Sequence, residues 1–393
     1  MAEWIECKIS DIGTVVGGAT PSTKKAENYE GGTIAWITPK DLSTFSGRYI
    51  QRGERNITEI GLKSCSTQLL PENTVLFSSR APIGYVAIAA NEVCTNQGFK
   101  SVIPNEATDP LFLFYLLKHN KDKIEAMGSG TTFKEVSGNT MKNIIVRVPS
   151  DKEVQKNIAS ILGTLDDKIE ENERINNNLE QQAQAIFENE FLSLQSLPDC
   201  WKQASLIDIA DYLNGLAMQK YRPSANEIGI PVLKIKELRQ GCCDDNSEFC
   251  SPSIKSDYII HDGDVIFSWS GSLLVDFWCG GICGLNQHLF KVSSSNCDKW
   301  FYYAWTKHHL DRFIAVAADK ATTMGHIKRD ELAKAKVLIP NETDYKRIGA
   351  LLQPIYDLII SNRIENKKLA ETRDSLLPKL MSGEIDMSEV DYE

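Results

Sequence analysis

The chain repeats itself, and this tandem duplication constrains its fold more than any other feature of the sequence. Short matching segments recur at an offset of about 190 residues, and such internal similarity predicts one structural unit built twice. The matched pairs are Asp11-Ile12 with Asp208-Ile209, Gly17-Gly18 with Asn214-Gly215, Asn96-Gln97 with Asn286-Gln287, Thr131-Thr132 with Thr322-Thr323, and Val148-Pro149 with Ile339-Pro340. The predicted order is globular, helical, globular, helical, with segments at 1–149, 150–198, 199–340 and 341–393.

Each globular half mixes strand and helix patterns. Runs rich in Val, Ile and Phe, bounded by Gly, Pro and Asn, predict strands, and apolar residues at helical spacing predict helices. In the first half these are strands at 33–38, 74–78, 85–89 and 144–148 and a helix at 110–126. In the second half they are strands at 231–236, 264–269, 289–292 and 337–339 and a helix at 300–315. The predicted fold class is α/β (α+β), with two homologous mixed domains.

The two helical segments carry the seam of a coiled coil. After Pro149 and again after Pro340 the apolar positions alternate in steps of four and three. The seam positions are Ile158, Leu162, Leu165, Ile169, Leu179, Ala183 and Ile186 in the first segment, and Ile348, Leu352, Ile355, Ile359, Leu369, Leu376 and Leu380 in the second. Polar residues interrupt both seams at Asn172 and Asn176 and at Asn362 and Asn366, where they are expected to fix the register of pairing at some cost in stability.

Antiparallel pairing of the two segments follows from the order of the chain, because the last helix has to return alongside the first. The expected product is a pseudo-twofold arrangement of two domains on a spacer of roughly 50 Å, at 1.5 Å per residue. Pro354 is expected to interrupt and kink the second helix. The alternative is two independent helices, each with a weak polar patch, that do not pair.

Charge and composition exclude several classes of protein. The net charge of −10 taken alone argues against a nucleic-acid partner. The excess of acidic residues, however, is confined to the helical segments: 1–149 carries +1, 150–198 carries −6, 199–340 carries −1 and 341–393 carries −4. No apolar run reaches about 18 residues, so no membrane span is expected, and the N-terminus has no secretion signal, which favours the cytoplasm. Ten cysteines without a CxxC pair predict neither a disulfide scaffold nor a metal site.

Two similar but non-identical domains on a spacer suit a target with two different half-sites at a fixed separation. Duplex DNA is such a target, because its half-sites recur at about 34–36 Å per helical turn. The sequence contains no methyltransferase motif, nucleotide-binding fold or nuclease carboxylate cluster, so the chain is expected to be non-catalytic.

Several segments resemble one family. Leu76-Phe77-Ser78-Ser79-Arg80-Ala81-Pro82-Ile83-Gly84, Thr95-Asn96-Gln97-Gly98-Phe99-Lys100, Gly128-Ser129-Gly130-Thr131-Thr132-Phe133, Ala321-Thr322-Thr323-Met324-Gly325-His326-Ile327 and the closing 376–385 are similar to type I restriction–modification specificity subunits. The resemblance implies a DNA-binding subunit whose two target-recognition domains each read half of an asymmetric bipartite site in double-stranded DNA. It also implies two adenine-N6 methyltransferase subunits on the helices and two ATP-dependent translocase/nuclease subunits. S-adenosylmethionine, ATP and Mg would be bound by those partners and no cofactor by this chain.

The candidate DNA-binding residues lie in loops of both halves. Arg80 has the chemistry to bind guanine or phosphate, paired amides can read adenine, and glycine-rich turns with hydroxyl groups can hold phosphate. The open alternatives are an ion pair for Arg80 and a backbone role for the amides and the turns. The candidates in the first half are Lys40, Arg80, Asn96, Gln97, Lys100, Ser129, Thr131, Thr132 and Lys134. Those in the second half are Lys236, Ser270, Asn286, Gln287, His288, Thr322, Thr323, His326 and Lys328.

A second function stays open at this stage. The two domains could bind proteins or peptides and never touch DNA, which would make the chain an interaction scaffold on a coiled-coil spacer. Salt separates the two hypotheses, because phosphate contacts make affinity fall steeply with salt concentration and a protein-binding groove does not share that dependence.

Overall fold

The computed structural model describes residues 3–80, 82–130, 134–319, 327 and 329–388. The chain divides into two compact units. The first comprises the residues up to 170 together with those from 369 onward, and the second comprises residues 171–368.

The first unit contains three sheets. Its elements are β1 (Trp4–Lys8), α1 (Ile9–Ile12), β2 (Gly13–Gly17), β3 (Ile34–Ile37), α2 (Pro39–Ser43), β4 (Tyr49–Ile50), β5 (Arg55–Ile57), α3 (Glu59–Lys63), β6 (Val75–Ser79), β7 (Ile83–Ala89), β8 (Cys94–Thr95), β9 (Lys100–Pro104), α4 (Pro110–His119), α5 (Lys121–Ala126), α6 (Gly138–Lys142), β10 (Ile145–Pro149) and the start of α7 (Lys152–Phe187). A five-stranded sheet has the order β2-β9-β6-β7-β4, a three-stranded sheet the order β5-β3-β8, and β1 pairs with β10.

The second unit is built from matching parts. Its elements are β11 (Lys202–Ser205), α8 (Leu206–Ile209), β12 (Asp211–Asn214), β13 (Ile230–Leu233), α9 (Ile235–Gln240), β14 (Phe249–Cys250), β15 (Ile259–Ile260), β16 (Val265–Ser268), β17 (Leu274–Phe277), β18 (Cys283–Leu285), β19 (Leu289–Ser293), α10 (Lys299–His308), α11 (Leu310–Asp319), α12 (Arg329–Ala333), β20 (Lys336–Ile339) and α13 (Glu342–Ser382). The sheets are β12-β19-β16-β17, β14-β13-β18-β15 and β11-β20.

Most strand pairings recur in both units, although β4 beside β7 in the first unit and β15 beside β18 in the second lie at positions that the other unit's described sheets do not fill. In the first unit β3 pairs in parallel with β8 and antiparallel with β5, and in the second unit β13 pairs in parallel with β18 and antiparallel with β14. The pairs β2–β9 and β12–β19 are both antiparallel, as are β1–β10 and β11–β20. The duplication read from the sequence is therefore a duplication of topology, and the prediction of two homologous mixed domains is confirmed.

Three predicted elements were wrong in part. The strand expected at 231–236 ends at Leu233, because Lys234 is the N-cap of α9 and its backbone N–H donates to the Glu237 carboxylate at 3.2 Å. The single helix expected at 110–126 is broken at Asn120, whose side chain donates back to the Leu116 carbonyl at 2.8 Å and closes α4. The helix expected at 300–315 is likewise two helices, α10 and α11, which meet at His309.

The long helices α7 and α13 pair antiparallel in each unit. In the first unit Arg373 of α13 contacts Asp166 of α7, and in the second unit Arg347 contacts Glu190, in the π-helical turn that follows α7. The predicted seam positions are buried or half-buried throughout, so the prediction of a paired seam is confirmed. Despite their length, neither these helices nor any other helix in the described ranges is apolar enough to cross a membrane.

The four seam asparagines meet in two pairs within the second unit. Asn172 donates to Asn366 Oδ1 at 2.8 Å and to Glu365 Oε2 at 2.7 Å, and Asn362 donates to Asn176 Oδ1 at 2.9 Å. All but Asn366 are buried. Each amide thus has a partner of matching polarity only in this alignment of the two helices, which is the arrangement that a register-setting role requires.

Pro354 does not interrupt α13, so that part of the prediction was wrong, and the expected kink stays a prediction. The helix is continuous over 41 residues and passes through the proline. Proline lacks the N–H that would bond the carbonyl of Ala350, four residues earlier. Both residues are exposed, so water can satisfy this carbonyl and the break that a buried proline would cause is avoided.

The buried amide pair gives a test of the seam. We expect Asn362→Ala to lower the free energy of unfolding by about 1–3 kcal/mol, because the Asn176 amide loses its partner while it remains buried. The double change Asn176→Leu with Asn362→Leu should cost less than Asn362→Ala or should stabilise the protein, because both polar groups are then gone. Urea unfolding measures the free energy of unfolding of each variant. A double variant whose loss of stability equals the sum of the losses of its single variants would contradict the pairing.

His309 gives the second unit a pH-dependent contribution to stability. The side chain is buried, its Nε2–H donates to the Lys336 carbonyl at 2.8 Å, and its ring stacks on Trp305. Burial lowers the pKa of His309 to about 4. The unfolded chain takes up a proton near pH 6.5 and the folded one does not, so this contribution is present above pH 6.5 and is lost as the pH falls toward 4.

We therefore expect His309→Gln to flatten the dependence of stability on pH. Between pH 7.5 and pH 4.5 the protein should lose up to roughly 3 kcal/mol through this histidine, and the variant should not. Urea unfolding at a series of pH values measures the slope, with His261→Gln, at an exposed histidine of the same unit, as the matched control. An unchanged slope in His309→Gln would assign the acid sensitivity to other groups.

Candidate nucleic-acid interface

In the Asn-Gln turn of the first unit, the two amide side chains have different surroundings. The Asn96 N–H donates to the Ile37 carbonyl at 3.0 Å, and Asn96 Oδ1 accepts the N–H of Gly98 at 2.8 Å. The asparagine therefore holds the backbone of its own turn, as Asn commonly does. Gln97 is exposed, and its Oε1 accepts the Thr20 hydroxyl.

The second unit repeats this turn. Asn286 is buried, its N–H donates to the Leu233 carbonyl at 3.2 Å, and its Oδ1 accepts the N–H of His288 at 3.3 Å. The Gln287 backbone bonds the Leu216 carbonyl at 2.8 Å, and its side-chain Nε2 lies 3.4 Å from His288 Nε2. In both turns the asparagine bonds its own backbone, and the glutamine is the amide left at the surface.

A glycine packs closely against the backbone of each of these turns. A Cβ at Gly18 would overlap the carbonyl oxygens of Thr95 and Asn96, and a Cβ at Gly215 would overlap those of Leu285 and Asn286. The glycines belong to one of the duplicated sequence pairs, but their role as the floor of the turn was not predicted. The recurrence of glycine at the same place before each turn is the sequence signal that could have indicated it.

The cations of the first unit gather around one carboxylate. Glu135 lies 3.7 Å from Arg80 and 3.4 Å from Lys100, whose Nζ is also 3.5 Å from the Ser79 hydroxyl. The backbone of Glu135 pairs with that of Ser129, at 3.0 and 2.9 Å. Three predicted candidates therefore come together here, next to the exposed Lys134.

Arg80 forms the ion pair that was the alternative to a DNA contact, and its role in binding DNA stays a prediction. Its side chain is still 35% exposed. An ion pair at this level of exposure is weak, so the guanidinium stays available to a stronger anionic or hydrogen-bonding partner.

Lys40 and Lys236 occupy equivalent helices, α2 and α9. Lys40 binds Glu54 at 2.7 Å and Lys236 binds Asp244 at 2.8 Å, and in each case the hydrogen bond to the carboxylate raises the pKa of the lysine. Lys40 lies beside the turn of its unit, since a Cβ at Gly98 would be 2.8 Å from Cγ of the preceding Pro39. Both lysines are charged, exposed and on the surface that carries the glutamine of the turn.

The second unit has a cleft of about 500 Å³ at this surface. It is lined by Gln219, Arg222, Lys234, Ile235, Lys236, Glu248, Asn286, Gln287 and His288. Glu248 binds Arg222 at 2.9 Å and also contacts Lys234, and its hydrogen bond to Lys234 lowers the pKa of Glu248. Sequence analysis missed Arg222 and Glu248, because no motif in the sequence marks them.

Ser270 and His288 form the edge of this surface. The Ser270 hydroxyl lies 3.1 Å from His288 Nδ1, and the His288 ring is 6.1 Å from the ring of Trp269. Trp269 Nε1 donates to Asn214 Oδ1 at 2.9 Å. Ser270 lies in the loop after β16, as Arg80 does after β6, so a serine beside a histidine stands where the first unit has an arginine.

The remaining candidates cannot be placed. Thr131, Thr132, Thr322, Thr323, His326 and Lys328 lie outside the described residues. Among the residues that are described, no group of three or more His, Cys, Asp or Glu side chains is arranged to hold a metal ion.

The chain belongs to the family of type I restriction–modification DNA specificity proteins. The family model described as "Type I restriction modification DNA specificity domain" matches twice, at residues 1–181 and 198–371, and so covers both units. The match favours a specificity subunit over the interaction scaffold.

Individual relatives are similar over almost the whole chain. The specificity subunit of the type I restriction enzyme MjaIX from Methanocaldococcus jannaschii is 35% identical over 99% of this chain and 95% of its own length. The specificity subunit of the EcoKI enzyme from Escherichia coli is 24% identical, with coverage of 97% and 89%. A crystal structure of a type I restriction–modification S subunit from M. genitalium has the same fold, with a TM-score of 0.58, 16% identity and 96% coverage of both chains.

The adjacent glycines 17 and 18 test the packing of the turn. We expect Gly18→Ala to lower the free energy of unfolding by about 1–3 kcal/mol, because the new methyl group has to displace the backbone of the Asn96 turn. Gly17→Ala is the matched control, since its Cβ would meet nothing closer than 3.9 Å. Denaturant unfolding compares the two, and equal stabilities would show that the turn yields without cost.

Proposed function

We propose that this chain is the sequence-reading subunit of a type I restriction–modification complex, in which each unit reads one half of an asymmetric bipartite DNA site. The observation that carries the proposal is the repeated surface. Each unit of this chain presents the glutamine of an Asn-Gln turn at its surface, exposed at Gln97 and half-buried at Gln287, beside an exposed lysine on an equivalent short helix.

The exposed side chains have the chemistry of base and phosphate contacts. A glutamine amide can bond adenine N6 and N7 in the major groove, and an arginine such as Arg80 can bond guanine O6 and N7. Lysines such as Lys40 and Lys236 bind phosphates and thereby set the position of the protein on the duplex. Arg80 in one unit and Ser270 with His288 in the other offer different donors and acceptors, so the two half-sites differ.

The carboxylates beside these cations are exchanged for phosphates on binding. Exposed ion pairs contribute only about 0–1 kcal/mol each, so Lys40 and Lys236 leave Glu54 and Asp244 at little cost. Each phosphate contact releases counterions from the DNA, so binding should weaken steeply with salt. A neutral domain with such a surface therefore binds DNA without a large net positive charge.

This chain recognises the DNA sequence, and its partner subunits catalyse the reactions. Two adenine-N6 methyltransferase subunits dock on the helical segments, and two restriction subunits complete the nuclease. S-adenosylmethionine belongs to the first partner, and ATP and Mg to the second. This chain binds DNA and performs no catalytic step itself.

Methylation mapping tests the function directly. The chain is co-produced with its methyltransferase subunit in a host without DNA methylation, and N6-methyladenine is mapped by single-molecule sequencing, with the methyltransferase alone as control. We expect methylation at one split motif only when this chain is present. A soluble assembled complex that adds no methylation would contradict the proposal.

Matched variants assign the half-sites. Gln97→Ala should relax base preference in one half of the motif and Gln287→Ala in the other half, with about 1–3 kcal/mol less discrimination at the affected position. The two glutamines occupy equivalent turns, so each variant is the control for the other. Relaxation of both halves by either variant would contradict the assignment of one unit to one half-site.

A further inference from the structure

A buried arginine fixes the recognition domain of the first unit to helix α7. The side chain of Arg48 is only 7% exposed, although it belongs to the loop between α2 and β4. Its Nε donates to Glu170 at 3.0 Å, its Nη1 to the Gly163 carbonyl at 3.3 Å, and its Nη2 to Asp167. One planar guanidinium therefore contacts three positions of α7, about two turns of the helix.

A second buried network joins α4, α7 and α13 in the same unit. Asp166 of α7 is 8% exposed and accepts hydrogen bonds from the Tyr115 hydroxyl at 2.6 Å and from Arg373 of α13 at 2.6 Å. Tyr115 is fully buried on α4 of the recognition domain. Helix α4 of the recognition domain is thus joined to both long helices by directional bonds as well as by apolar packing.

The second unit has the same kind of link, with its direction reversed. Here the arginine comes from the helix: Arg363 of α13 donates to Asp276 of β17 at 2.6 Å and to Glu180 of α7 at 2.9 Å. Lys307 of α10 reaches the other oxygen of Glu180 at 3.3 Å. Glu180 and Arg363 are about a quarter to a third exposed, so this link is less deeply buried than that of Arg48.

We propose that Arg48 and Arg363 are positioning residues that hold each recognition domain in one orientation on its helices and thereby set a single spacer length between the two half-sites. The inference rests on the proposed function. Buried ion pairs add little net stability, but they accept only one geometry. A guanidinium fork that bonds two or three acceptors at once restricts rotation and sliding, which apolar packing alone resists less strongly.

The spacer width of the methylated motif is the readout. With the complete complex in the same methylation-free host, the wild-type chain defines a motif with spacer n. Arg48→Met should leave both half-sites unchanged and raise methylation at spacers n−1 and n+1, relative to n, by about tenfold. Arg48→Lys, which keeps the charge without the fork, should lie between the two. Arg363→Met should act in the same direction with a smaller effect.

Arg174→Met is the matched control. Arg174 lies on α7, is 74% exposed and forms an ion pair along its own helix, with Glu171 at 2.7 Å. The variant removes an ion pair within α7 and leaves the contacts between the recognition domain and its helices in place, so the spacer should stay at n. Band shifts of the purified complex on duplexes that differ only in spacer length should give the same order of variants.

The outcomes separate the two proposals. If the wild-type complex methylates no split motif, the proposed function fails. If it does and Arg48→Met keeps the single spacer n, with methylation unchanged or uniformly reduced, the positioning role is overturned. Should Arg48→Met not fold, Asp167→Asn with Glu170→Gln weakens the same link from the more exposed side. A single spacer in that variant would overturn the proposal equally.

Discussion

The structure depends on the pairing of α7 with α13, because every other part of the chain is attached to these helices. Apolar seam residues supply most of the attraction, but they would tolerate a shift of one heptad. The two asparagine pairs do not, since a shifted register leaves buried amides unsatisfied. Apolar packing therefore makes the helices associate, and the amides select one alignment. Because the helices pair in one register, each domain has a defined position on the helices.

The residues shared by the two units stabilise the backbone of the turn, whereas the exposed residues that differ are those available to a ligand. Gly18 and Gly215, Asn96 and Asn286, and the short helices that begin after Thr38 and Lys234 recur because the backbone of the turn requires them. What differs is what projects outward: Arg80 with Lys100 around Glu135 in one unit, Arg222 with Lys234 around Glu248 in the other. A duplicated scaffold with divergent exposed groups is what two different half-sites demand.

Most of the architecture could be predicted, because it rests on local periodicity. The strands around Phe77 and Phe267 and the seam from Ile158 to Leu380 follow from spacings of two, three and four residues. The breaks at Asn120 and His309 were missed, since apolar spacing continues across them. The partners of Arg48 lie 115 to 122 residues away, and no local pattern records such a contact. Candidate loops could be predicted from the repeat, but which side chain faces outward within a turn depends on backbone bonds visible only in the fold.

The acidic charge of the first helical segment now has a physical explanation. Asp166, Asp167, Glu170, Glu180 and Glu190 do not simply face water; their partners are Arg373, Arg48, Arg363, Lys307 and Arg347. Half of the ten acidic residues in 150–198 are thus engaged in anchoring the domains or in pairing the helices. The segment keeps a net charge of −6, which repels phosphate, so the proposed function places DNA on the two nearly neutral domains. One distribution of charge then serves both the assembly of the subunit and the proposed placement of a polyanion.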